Sequence, residues 1–95
     1  MFELVVGLGN VGDKYINNRH NCGFQVIDYF IDYLNLTLDK DSHTGSLFSK
    51  FKVNNNKVFF LKPNSFMNLS GQTIRKFCNF YKIDPKNILI VHDEL

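Results

Sequence analysis

The chain has 95 residues, 44% of them hydrophobic, and a formal net charge of +2 from 11 basic and 9 acidic side chains. That length bounds it to at most one domain, burying roughly 60–70% of its unfolded surface, and its pI of about 8.6 falls below the roughly 9 expected of a dedicated nucleic-acid domain. No apolar run approaches the roughly 18 residues of a membrane helix, no basic stretch precedes an apolar one near the N-terminus, and Cys22 and Cys78 have no paired metal spacing. A membrane span, a signal peptide, a cofactor and a metal site are therefore unsupported, and two buried free thiols in a cytoplasmic protein are the expectation.

The apolar run from about Phe2 to Val6 predicts a first, buried strand. Glycines follow it: Gly7, Gly9 and Gly12 have the spacing of a dinucleotide-binding fingerprint, which makes such a module the alternative to weigh. That site also needs a helix opening at the third glycine, with its N-terminal amides facing the pyrophosphate, and an acid roughly 20 positions on. Here Gly12 is followed by the polar stretch Asp13 to Asn18 with no helical stripe, and Asp32 falls inside a later predicted helix. A tight turn without a ligand would account for the glycines but leaves Asn10 and His20 without a role.

Phe24, Ile27, Ile31 and Leu34 recur at three and four residues, predicting a helix over Cys22 to Leu36 with Gln25, Asp28 and Asp32 on its polar face. The polar segment Leu36 to Gly45 suits a loop, and His43 within it carries no assigned chemistry. Leu47–Val53 and Lys57–Leu61 then read as a hairpin around Asn54-Asn55-Asn56, whose asparagines tolerate left-handed backbone. Lys50, Lys52, Lys57 and Lys62 concentrate in this stretch, and a solvated hairpin accounts for them better than a phosphate-contacting patch.

Pro63 ends the second arm, and a polar junction from Ser65 leads to a helix with Ser70 as candidate N-cap, Ile74, Phe77, Cys78 and Tyr81 as its apolar stripe, and Asp84-Pro85 as its stop. The wholly apolar Ile88–Val91 reads as a central strand of a parallel sheet. His92-Asp93-Glu94-Leu95 spells an endoplasmic-reticulum retention address, which is a coincidence without an entry signal. The order strand, helix, hairpin, helix, strand implies an α/β fold with a mixed, largely parallel sheet flanked by helices. Ligands in such sheets sit beyond the carboxyl ends of the strands, where Asn10, Asn68 and Asp93 would gather if those strands are parallel, with His20 passing close by.

The same residues carry a family resemblance. Gly7-Leu8-Gly9-Asn10 with Gly12, Arg19-His20-Asn21 with Gly23 and Phe24, Lys62-Pro63-Asn64-Ser65-Phe66-Met67-Asn68-Leu69-Ser70-Gly71, and His92-Asp93-Glu94-Leu95 resemble, in order, motifs of the bacterial peptidyl-tRNA hydrolases. The resemblance implies that family's α/β fold and hydrolysis of the ester joining a peptide, or an N-blocked amino acid, to the 3′ ribose of tRNA, which recycles tRNA from aborted translation. Peptidyl-tRNA would be the partner, no membrane would be involved, and the full-length enzyme would be a monomer. By the same resemblance His20 is the general base, Asp93 orients it, Asn10 discriminates blocked from unblocked substrates, and Asn68 contacts the substrate end. Tyr15 and Phe66 match positions lining the site for the tRNA end; many relatives carry Tyr at the latter, so a stacking face is kept and a hydroxyl lost. Met67 either lines the pocket or packs.

Residue chemistry is consistent with these roles. His is the side chain whose ordinary pKa suits deprotonating a water near neutral pH. A helix N-terminus disfavours the imidazolium while a carboxylate fixes the tautomer. Amide donors from Asn10 or Asn68 could bind a developing oxyanion. The family runs to about twice this length by resemblance, so the chain is expected to be the N-terminal part of a single truncated domain, weakly active or inactive alone; a non-catalytic fragment is the remaining alternative.

Overall fold

The structure, a computed structural model, describes residues 2–9, 22–64 and 70–92. In chain order these form β1 (Leu4–Gly7), α1 (Cys22–Tyr33), β2 (Asp39–Lys40), β3 (Leu47–Val53), β4 (Asn56–Lys62), α2 (Ser70–Tyr81), a 3-10 turn (Pro85–Asn87) and β5 (Ile88–Val91). The strands make one sheet in the order β2-β3-β4-β1-β5. β1 pairs in parallel with both β4 and β5, whereas β2–β3 and β3–β4 are antiparallel, so the sheet is mixed and its parallel part is β4-β1-β5.

Strand alternation splits the core between two helices. Leu4 and Val6 of β1 with Phe59 and Leu61 of β4 face Ile74, Phe77 and Cys78 of α2. Phe60, on the other face, meets Ile27 and Ile31 of α1, with Val5 packed against them. The hairpin reverses at Asn54, which takes the left-handed conformation at φ 57° and brings Val53 opposite Asn56. Its second arm is the buried one, as its apolar run implies.

Several boundaries differ from the sequence reading. α1 stops at Tyr33, because Asn35 adopts φ 59° and the Leu36 N–H donates to the Ile31 carbonyl at 2.8 Å, closing the helix before Leu36. Lys82 at φ 58° and a 2.9 Å bond from the Ile83 N–H to the Cys78 carbonyl end α2 in the same way. Ser70 is the first residue inside α2 and is buried, so the helix begins a step earlier than an N-cap there would allow. Asp84 instead caps the 3-10 turn, its carboxylate accepting from the Lys86 N–H at 3.0 Å. A short strand, β2, sits in the segment expected to be all loop.

The apolar β5 is not central among the described residues: it flanks β1 at one edge of the sheet, with Leu89 40% and Ile90 45% exposed. The outer face of α1 carries Tyr29 and Tyr33, stacked with ring centroids 6.0 Å apart, in addition to the expected acids. Cys78 is buried but Cys22 is only half-buried.

Candidate active-site edge

The carboxyl ends of the three parallel strands lie side by side. Val6 is opposite Leu61, Gly7 is opposite Val91, and the Leu8 N–H continues the ladder onto the Val91 carbonyl at 2.9 Å. The first turn of α1 is pressed onto this edge. A Cβ on Gly23 would overlap the backbone of Leu8 and the Val91 carbonyl, and a Cβ on Gly7 would overlap the Gly23 carbonyl and Ile27. Only a bare Cα fits between helix and strand ends at either position. Gly7 is thereby accounted for by helix–strand packing, without a nucleotide.

Asn10, Tyr15, His20, Phe66, Met67, Asn68 and Asp93 all lie outside the described residues. The structure fixes the anchors around them. The segment holding Asn10, Tyr15 and His20 leaves beyond β1 at Gly9 and rejoins at Cys22, the first residue of α1. The segment with Phe66, Met67 and Asn68 leaves after Asn64 and rejoins at Ser70, the first residue of α2, and Asp93 follows the exposed His92 just past β5.

A cation that sequence reasoning grouped with the hairpin lysines belongs to this edge instead. Lys62, at the end of β4, extends to α1, where Nζ lies 2.7 Å from Asp28 Oδ1 and 5.2 Å from the centre of the Phe24 ring. Its side chain is only 16% exposed, so the ammonium is held by a carboxylate and a ring face. Lys50, Lys52 and Lys57 stay exposed on the hairpin, with Lys52 directly opposite Lys57. The partner of Lys62 lies 34 positions away, a distance that no local pattern reveals.

On the outer side of β4, buried polar groups tie the loop before β3 to the residue preceding the 65–69 segment. Asp41 is 2% exposed and accepts from the Thr44 N–H at 2.9 Å and the Thr44 hydroxyl at 2.7 Å. The Tyr81 hydroxyl donates to its other oxygen at 3.3 Å. Burial first, and the Asp41 carboxylate second, hold the Tyr81 phenol above its ordinary pKa, so it remains a protonated donor. Ser46, fully buried, accepts at Oγ from the Asn64 N–H at 2.9 Å.

Among the described residues no group of three or more His, Cys, Asp or Glu could hold a metal ion. A concavity of about 450 Å³, lined by Glu3, Lys57, Phe59, Tyr81, Lys82 and Asn87 among others, opens at the opposite end of the sheet, where the parallel strands begin. Burial also raises the Cys78 thiol pKa, with a smaller push from Glu3, which suits an inert core thiol.

Comparison with known proteins gives this edge a family. The sequence model described as Peptidyl-tRNA hydrolase matches residues 4–95. A peptidyl-tRNA hydrolase of Lactobacillus gasseri is 47% identical over 93 residues, spanning 98% of this chain and 50% of its own length. That of Alkaliphilus metalliredigens is 45% identical over 92 residues, 97% of this chain and 49% of its own. The crystal structure of peptidyl-tRNA hydrolase from Acinetobacter baumannii superposes with a TM-score of 0.90 at 39% identity, covering 99% of this chain and 48% of that one. The chain thus spans about half the length of the curated relatives it matches, and it belongs to the peptidyl-tRNA hydrolase family.

Proposed function

We propose that these residues contribute to hydrolysis of the ester between a peptide, or an N-blocked amino acid, and the 3′ ribose of tRNA. The observation that carries this reading is the family match across residues 4–95, on a sheet whose parallel strands end together beneath the start of α1. In it His20 removes a proton from the attacking water, and Asp93 orients the imidazole and fixes its tautomer. Asn10 and Asn68 bind the substrate carbonyl and its developing oxyanion, Tyr15 and Phe66 offer stacking faces to the tRNA end, and Met67 is a possible pocket lining. Chain connectivity supports the base and its partner: Gly23 follows His20 by three positions, Asp93 follows Val91 by two, and Gly23 backs onto the Val91 carbonyl. A water nucleophile needs no covalent intermediate, so neither cysteine is assigned a role, and the reading takes no cofactor.

We place residues 1–95 in the N-terminal part of a single domain of the relatives' length, acting as a cytoplasmic monomer on peptidyl-tRNA. No described helix is long and apolar enough to cross a membrane. The test is cleavage of N-acetyl-aminoacyl-tRNA by a protein carrying these residues at the relatives' length, with and without His20→Ala. Turnover should fall by about 10²–10⁴, the range for loss of a general base, while tRNA-end binding is retained. A fall of less than about tenfold would remove His20 from that role. The 95 residues alone should cleave poorly.

A further inference from the structure

None of the residues assigned above lies between Asp41 and Ser46, yet this loop concentrates buried polar side chains, and its bonds converge on one backbone group at the candidate edge. The Asp41 N–H donates to the Ser46 carbonyl and the Gly45 N–H to the Asp41 carbonyl, both at 2.7 Å, while the Ser46 N–H donates to Thr44 Oγ1 at 3.2 Å. Thr44 is itself held on the Asp41 carboxylate, which Tyr81 secures from α2. This scaffold presents the fully buried Ser46 Oγ to the Asn64 N–H at 2.9 Å. Gly45, at φ 75°, passes the Asn64 side chain so closely that an added Cβ would sit 3.3 Å from Nδ2. Two neighbouring loop residues are therefore fitted to Asn64, the last described residue before the segment with Phe66, Met67 and Asn68.

We infer that Ser46 is a positioning residue for the substrate end. Its hydroxyl fixes the Asn64 backbone, the point from which the chain continues to Phe66 and Asn68. Pro63, fully buried and without an N–H of its own, makes the Asn64 amide the first backbone donor beyond β4 by which the exit can be held. The role is distinct from catalysis, since Ser46 acts through Asn64, and it rests on the reading that Phe66 and Asn68 meet the substrate.

The test uses a protein carrying these residues at the relatives' length and a stable probe, adenosine carrying N-acetyl-phenylalanine through a 3′ amide in place of the ester. Ser46→Ala should accelerate hydrogen exchange at the Asn64 N–H by about threefold to tenfold, the range for loss of one such bond, while Phe60 and Leu61 in β4 exchange as before. Probe affinity should weaken by a similar factor. Ser46→Cys, nearly the same shape with a weak acceptor, should fall between and serves if Ser46→Ala does not fold. Thr44→Val loosens the loop that presents Ser46 but leaves Ser46 Oγ in place, so it should move both readouts by clearly less than Ser46→Ala does. An unchanged Asn64 exchange rate in Ser46→Ala overturns the proposal, and so does faster exchange with unaltered probe affinity or an equal loss of affinity in Thr44→Val. If the unmodified protein at that length does not bind the probe, the substrate reading fails first and the role of Ser46 falls with it, whatever the exchange rates show.

Discussion

Gly23 is the residue at which the candidate edge is most tightly determined. A methyl group there would meet the backbone nitrogen and oxygen of Leu8 and the Val91 carbonyl, none of which can turn aside as a side chain would. Gly23→Ala must separate α1 from β1 and β5, and should cost at least about 2–3 kcal/mol, as overpacking against unyielding neighbours does. Urea unfolding would measure it; a loss below about 0.5 kcal/mol, the size of an ordinary surface change, would mean that helix and strands are not seated as described. The sequence shows this glycine beside His20 but not its purpose, which depends on β5, nearly 70 positions later. Lys62 and Ser46 escaped for the same reason: their partners, Asp28 and Asn64, lie 34 and 18 positions away.

The helices and the hairpin were legible because each repeats its own pattern, three-and-four spacing in α1 and α2 and a double apolar run around asparagines. What failed lay at their ends. Asn35 and Lys82 close the helices through left-handed backbone, which is unusual for Lys, and β2 owes its existence to pairing with β3 rather than to its own residues. Within α2, burial should separate residues of the same type. Phe77 is fully buried between Phe48, Phe59 and Tyr81, whereas Phe80 is 52% exposed and rests on His43 with ring centroids 3.7 Å apart. Phe77→Ala should cost about 3–5 kcal/mol. Phe80→Ala, which leaves no enclosed cavity, should cost about 1 kcal/mol, the worth of an exposed ring pair. Similar urea midpoints for the two variants would contradict the core assigned to α2.

At the scale of the whole molecule, β5 sets the behaviour of these residues on their own. It pairs with β1 on one side, and its register places Leu89 on the Val5 face and Ile90 on the Val6 face, so apolar side chains are exposed on both faces of the sheet. Such a strand at an edge templates pairing with other chains, since burying its side chains and satisfying its outer backbone groups favour the same contact. The relatives are about twice as long, so their sheets have chain available to cover the corresponding strand, and a monomer at full length is compatible with an exposed edge here. The 95-residue chain should therefore self-associate as its concentration is raised in sedimentation velocity. Ile90→Lys, which sets a charge on the exposed apolar face without reaching the buried core, should shift the distribution back toward monomer. Tyr33→Lys, equally charged but on the outer face of α1 at 73% exposure, should leave it unchanged. A chain that stays monomeric throughout would remove β5 as an adhesive edge, and equal effects of the two lysines would trace association to net charge instead.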